Sequence, residues 1–287
     1  MTLPLRVPLG GRGHRDAVLL HGSAGWGEWS PLPGYPSDPA RCRRAAEEAA
    51  GTAWPVPRRS RVAVNALIPG VDADEAAALA SAAVADGFTT LKVKVGDAAG
   101  LDRVAAVRDA VGPHARVRVD ANGAWPTVDT ATVNIVGMSK FDLELVEQPL
   151  PSLEGLADVR RRVPVPIAAD ECVRDLDDAR RLARLGAADA LVLKVQPLGG
   201  WAMAMAVAEA AGVPVIVSSM YETSVGLAAG LALAGALDEL PFACGLGTAA
   251  LFAADVVVDA LVPIAGFLDV RRPEPDPGLL ERYGADG

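Results

Sequence analysis

Along most of the chain, short runs of β-branched residues and leucine alternate with longer Ala-rich stretches whose apolar positions recur at helical spacing. The runs Val62–Asn65, Thr90–Val95, Val117–Asp120, Leu143–Glu147, Ile167–Ala169, Ala190–Lys194, Val213–Ser218 and Ala243–Gly245 predict eight strands. Between them, Ala73–Ala85, Ala99–Val111, Thr127–Val136, Leu153–Arg162, Leu176–Leu185, Trp201–Ala211 and Ser224–Leu237 predict helices. Such alternation implies βαβ units and a parallel sheet. From Lys94 onward, successive strand ends lie 23 to 27 residues apart. That steady repeat predicts an α/β fold of the (β/α)8-type barrel. A doubly wound open sheet would need a Gly-rich turn after its first strand, and Asn65–Gly70 is not one.

The first 60 residues read differently. They are rich in Gly, Pro and Arg, with one short apolar run (Ala17–Leu20) and one helical stretch (Pro39–Ala50). They predict a small, loop-rich α+β unit, and Trp54–Ser60 reads as a linker. The Pro-rich tail is expected to return and pack on this unit. The expected division is therefore 1–60 with 269–287, and 61–268 as the barrel.

Composition narrows the class of protein. Of 287 residues, 51% are apolar, enough for a sizeable core, and the net charge is −9. An acidic chain argues against nucleic-acid binding and against attachment to an anionic membrane. The uncharged run Thr223–Leu237 is 15 residues, short of a membrane span, and reads as a buried helix. No signal-peptide pattern opens the chain. Cys42, Cys172 and Cys244 are far apart, so neither a disulfide framework nor a zinc site is expected, and a reducing cytoplasm fits. The expected partner is a small molecule. The pattern leaves the oligomeric state open, with a monomer sufficient.

In a barrel, chemistry sits at the C-terminal ends of the strands. Here five consecutive strands end in charge: Lys92-Val93-Lys94, Asp120-Ala121-Asn122, Glu147-Gln148-Pro149, Asp170-Glu171 and Lys194. Asp120, Glu147 and Asp170 come from neighbouring strands and would repel one another without a neutralising partner. A hard divalent cation is such a partner, and an all-oxygen shell selects Mg²⁺ or Mn²⁺. Pairing with Arg or capping of helices is the structural alternative, and Glu171 could replace Asp170 as a ligand. Lys92 and Lys94 are two apart on a strand and share a face. The strand bearing Lys194 lies across the barrel from theirs. A substrate between them would have an amine on each side.

These parts suit abstraction of the weakly acidic proton beside a carboxylate, the cation stabilising the enediolate. Lys94 is assigned as the base, Lys92 as its electrostatic neighbour and Lys194 as the second amine. An ordinary lysine has a pKa near 10.4, so freeing its amine at neutral pH takes roughly 4.6 kcal/mol that neighbouring positive charge must offset. Only four of the 27 basic residues are lysine, and three of them stand at these strand ends.

This set of motifs resembles the muconate-lactonizing branch of the enolase superfamily. The resemblance covers nearly the whole chain. It implies a capping domain, formed by the N-terminal segment and the C-terminal tail, over a modified barrel with one Mg²⁺ and a lysine pair. Within the branch the likeness is greatest to the o-succinylbenzoate synthase family, carried by Gly25–Pro31, Ser218–Gly226 and Cys244–Ala250. That family implies dehydration of a succinyl-hydroxycyclohexadiene carboxylate in menaquinone synthesis, with Lys194 over the ring in a cation–π contact. The alternative is an N-acylamino acid racemase or dipeptide epimerase using the same lysines. Such epimerases tend to carry Asp-x-Asp at the eighth strand, and this chain has no acid there.

Weaker expectations complete the reading. Ser218, Ser219, Met220, Gly245, Leu246 and Gly247 are expected to touch substrate, Gly245–Ala250 through backbone amides. Asn122 holds the substrate or the metal shell, or is a turn residue. Trp26 and Glu28 read equally as plain core and surface of the N-terminal unit. His14, His21 and His114 are scattered and read as structural or solvated.

Overall fold

A computed structural model describes residues 1–11 and 13–285. The chain opens with an antiparallel sheet of β1 (Thr2–Pro8), β2 (His14–Gly22) and β3 (Gly25–Trp29), against which α1 (Pro39–Gly51) packs. Glycine permits that packing. A Cβ on Gly27 would lie 2.0 Å from the Ala46 carbonyl oxygen of α1, so no side chain fits there.

The next elements are β4 (Arg61–Ala63), β5 (Ala66–Ile68), α2 (Ala73–Ala85), β6 (Thr90–Lys94), α3 (Gly100–Val111), β7 (Arg116–Asp120), α4 (Val128–Ser139), β8 (Leu143–Glu147) and α5 (Leu153–Arg160). They are followed by β9 (Ile167–Ala169), α6 (Leu176–Leu185), β10 (Ala190–Lys194), α7 (Val195–Leu198), α8 (Trp201–Ala211), β11 (Val215–Ser218) and α9 (Ser224–Ala236). A 3₁₀ turn (Gly247–Leu251), β12 (Phe267–Asp269) and α10 (Pro277–Tyr283) complete the chain. Side chains at the N-termini explain several boundaries: Asp72, Thr127, Ser152, Asp175 and Thr223 accept backbone N–H groups of α2, α4, α5, α6 and α9.

Strands β5 to β11 form a curled parallel sheet in sequence order, an α/β arrangement with its helices packed outside. The segment expected as an eighth strand is shorter than a ladder. Cys244 bridges Val64 and Gly245 bridges Ser218, both parallel, so two single bridges span the gap between the first and last strands. The expected first strand also differs. The Val64 N–H goes to Gly266 and the Asn65 N–H to Cys244, so the chain changes partner there. As a result β4 pairs antiparallel with β12, while β5 joins the parallel sheet. The one-turn helix α7 is too short to leave a periodic signal.

Inside the sheet, Leu145, Ala168, Ala190, Val192 and Ile216 pack together. The fully buried Arg118 joins this interior, donating to the Ala243 carbonyl at 2.9 Å and pairing with Glu144. Helix α9 is buried on every side, which explains its lack of charge. At the end of the chain Gly284 bridges Leu5, and the Ala285 N–H donates to Pro4. No described helix is long and apolar enough to cross a membrane. The three cysteines are free and buried.

Candidate active site

Parallel register brings the charged strand ends to one rim. Lys94 of β6 lies beside Asp120 of β7, which lies beside Glu147 of β8. Asp170 follows β9, and Lys194 ends β10. The three carboxylates are almost wholly buried, at 1%, 1% and 3% exposure. Lys92 Nζ sits between Asp120 Oδ2 (2.9 Å) and Glu147 Oε1 (2.6 Å), and Lys94 Nζ is 2.7 Å from Asp120 Oδ2. Lys194 Nζ donates to both oxygens of Asp170, the longer contact being 2.6 Å. Period-two alternation accounts for this, since Lys92, Lys94 and Lys194 all project to the inner face.

Charge and burial act against each other here. Burial works against the Lys92 ammonium, but Asp120 and Glu147 outweigh it and hold its pKa above the usual range. Lys194 is raised in the same way by Asp170 and Glu171. Burial favours a neutral Asp120, yet Lys92 and Lys94 drive it well below the usual carboxylate range. Glu147 is pushed up, first by burial and then by the charge of Asp120.

These carboxylates offer only oxygen donors from three adjacent strands. That donor set fits a hard divalent cation. As the side chains stand, no three His, Cys, Asp or Glu groups among the described residues enclose an ion. The ammonium groups instead take the oxygens that a cation would share.

Above the rim lies a cavity of about 590 Å³ lined by Lys92, Lys94, Asp120, Asp170 and Lys194. Asn122, Ser218, Ser219, Met220, Gly245 and Gly247 also line it. Leu246 does not. Expected at the cavity, it instead turns outward between Gly245 and Gly247 and is fully buried. A Cβ on Gly230 would meet its Cδ2 at 2.9 Å, so that glycine leaves room for it. Ser219 Oγ donates to the Gly245 carbonyl at 2.8 Å and lies 2.9 Å from the Thr248 hydroxyl.

Tyr35 and Asn65 are among the cavity residues that the sequence pattern did not point to. Tyr35, from the loop between β3 and α1, donates to Asp170 Oδ1 at 3.0 Å, and Lys194 Nζ lies 4.5 Å from its ring centre. Its Pro-rich loop carries no periodic signal. Asn65, just before β5, lines the cavity with its Oδ1 buried and unpartnered. A polar residue closing the first strand was the available signal.

Glu28 is a buried joint, and the surface alternative falls. It accepts hydrogen bonds from Ser30 Oγ (2.6 Å), Thr223 N–H (3.2 Å), Gly226 N–H (3.1 Å) and the Thr223 hydroxyl. It thereby ties β3 to the N-terminus of α9, next to the cavity loop. Arg15 reinforces the joint by donating to the carbonyls of Pro31 (3.0 Å) and Tyr221 (3.0 Å). His14 faces Asp16 at 3.5 Å and His21 lies against Trp26, neither at the cavity.

Residues 75–280 match the family model described as enolase C-terminal domain-like, and residues 1–50 match enolase N-terminal domain-like. The o-succinylbenzoate synthase of Thermobifida fusca is 52% identical over 277 residues, covering 94% of this chain and 86% of that protein. Its namesake from Mycobacterium leprae is 42% identical, covering 99% and 85%. Among solved structures, muconate cycloisomerase from Pseudomonas fluorescens matches with a TM-score of 0.87 at 21% identity, covering 99% and 98%. A dipeptide epimerase from Cytophaga hutchinsonii, complexed with Mg and the dipeptide D-Ala-L-Val, matches with a TM-score of 0.85 at 21% identity, covering 98% and 96%. The two structural likenesses bear on the fold alone. With both family models matched and half of its residues shared with a curated relative, the chain belongs to the o-succinylbenzoate synthase family of the enolase superfamily.

Proposed function

We infer that the chain is an o-succinylbenzoate synthase. It is a carbon–oxygen lyase that removes water from 2-succinyl-6-hydroxy-2,4-cyclohexadiene-1-carboxylate to leave an aromatic ring, in menaquinone biosynthesis. The observation that carries this reading is 52% identity along 94% of the chain. The cavity chemistry supports it. On this reading 61–268 is a (β/α)8-type barrel and 1–60 with 269–287 its cap.

Asp120, Glu147 and Asp170 would hold Mg²⁺ or Mn²⁺, which supplies Lewis-acid stabilisation of the charge developing on the substrate carboxylate. Lys94, as the free amine, takes the proton from the ring carbon bearing that carboxylate. The C–H electrons pass into the enediolate. They then form the last ring double bond as the neighbouring C–OH bond breaks. The Lys94 ammonium returns its proton to the departing hydroxyl, which leaves as water. Lys194 remains protonated on the opposite face and stabilises the electron-rich ring by a cation–π contact. Lys92 keeps positive charge beside Lys94. Asn65, Ser219 and the Gly245–Gly247 backbone are suited to the oxygen atoms of the succinyl arm.

Racemisation of an N-acylamino acid would use Lys94 and Lys194 in turn as base and acid. The absence of an acidic residue from Ala243–Gly247 disfavours the dipeptide version. The test is a side-by-side assay with Mg²⁺. Aromatic product is followed by absorbance, and α-proton exchange of N-succinyl amino acids and dipeptides in D₂O by NMR. Dehydration is expected. Exchange without dehydration would overturn the reading.

A further inference from the structure

Asn122 has both ends of its side-chain amide committed. Its Oδ1 accepts from Lys94 Nζ at 2.6 Å, and its Nδ2 donates to Glu171 Oε1 at 2.9 Å. The backbone N–H of Asn122 donates to Asp120 Oδ1 at 2.9 Å. Its φ is +46°, a left-handed conformation that L-residues adopt rarely and asparagine more readily than most. An amide held in this way has one orientation. Turning it over would set its NH₂ against the Lys94 donors and its oxygen against the Glu171 carboxylate.

Lys94 is thereby tied twice, to Asp120 Oδ2 and to Asn122 Oδ1. Nitrogen is tetrahedral, with the side-chain carbon at one corner. Two anchored N–H bonds leave a single corner, where the proton is lost and the lone pair forms. Whatever holds Asn122 therefore aims the amine. Among the described residues, the one hydrogen bond to the Glu171 side chain is that from Asn122, and Glu171 Oε2 is buried without a partner.

We propose that Glu171 is a positioning residue that orients the Asn122 amide and, through it, points the Lys94 amine into the cavity. This rests on the reading of Lys94 as the base. It also separates two neighbours: Asp170 belongs to the carboxylate set that fits a cation, and Glu171 serves the lysine.

The experiment compares E171L, E171Q, N122A and the N122A/E171L double variant in steady-state dehydration. Mg²⁺ binding to each folded variant is measured by titration calorimetry. A misplaced reacting group costs on the order of 100-fold, so E171L and N122A should each lower kcat about that much with KM little changed. The double variant should be no slower than N122A, because Glu171 acts only through Asn122. E171Q keeps a carbonyl oxygen to accept from Asn122 and should recover most of the turnover. This variant carries the test should E171L fail to fold. Mg²⁺ affinity should be the same throughout. Losses that multiply in the double variant would overturn the proposal. So would an E171Q as slow as E171L with weakened Mg²⁺ binding, which makes Glu171 a charge on the cation. An inactive K94A beside a fully active E171L removes only the positioning role. A fully active K94A removes the base assignment beneath it.

Discussion

Glu28→Ala removes in one step the acceptor of four hydrogen bonds, three of which join β3 to the N-terminus of α9. The two hydroxyls can rotate, and Ser30 Oγ keeps its contact with Gln196 Nε2 at 3.0 Å. The Thr223 and Gly226 N–H groups cannot move, because they open a helix that is buried on every side. Each orphaned buried donor costs roughly 1–3 kcal/mol, so the variant should lose about 2–6 kcal/mol. Glu28→Gln should lose less, since its carbonyl oxygen satisfies one side while its NH₂ faces donors on the other. Urea unfolding followed by circular dichroism measures both losses from the shift in midpoint at constant slope. An alanine variant within about 0.5 kcal/mol of the parent would refute the claim that these donors have no other partner, since surface substitutions commonly fall in that range.

Gly27→Val drives a side chain into the Ala46 carbonyl, 2.0 Å from the Cβ position, and should cost about 3 kcal/mol or more in the same unfolding assay. A neutral result would show that α1 can withdraw from the sheet. Asp189 is held below the usual aspartate pKa because the Arg160 guanidinium and the Ile167 N–H outweigh its partial burial. A depressed pKa contributes stability that is present above the unfolded value of about 3.9 and lost as pH falls through the folded one. Asp189→Asn should therefore be roughly 1 kcal/mol less stable at neutral pH, with the gap closing in acid. A gap that stays constant down to about pH 2 would contradict that linkage. Removal of divalent cations with EDTA should abolish dehydration and added Mg²⁺ restore it. Turnover surviving exhaustive chelation would remove the cation from the carboxylate reading.

The charged rim was legible because two signals coincide there. The strand repeat places each strand end, and burial of Val93, Val119 and Leu193 leaves lysine or carboxylate at those ends with no structural reason to be buried. The predicted starts of α2 and α6, Ala73 and Leu176, fall directly after the residues that cap those helices, Asp72 and Asp175. Long-range pairing was less visible. Glu28 reads as plain core or surface of the N-terminal unit because its Thr223 partner is 195 residues away. The split of the first strand depends on the return of β12, and nothing local at Val64 announces it. Leu246 misled because, in a segment held by two bridges, alternation decides its direction and the neighbouring glycines conceal that alternation. Tyr35 reaches the site from a loop whose prolines and glycine give no period.

The placement of the lysines also bears on covalent chemistry at the surface. Outside the cavity the chain has one lysine, the exposed Lys140, besides its N-terminal amine. Guanidinium carries the rest of the positive charge and resists acylation at neutral pH. Reactive esters and sugar aldehydes therefore find almost no primary amine to modify before they reach Lys94, whose side chain is 29% exposed. Acylation of a lysine would be either a mark on α4's C-terminal cap or a hit on the charged rim, with a molecule bound in the cavity as the shield.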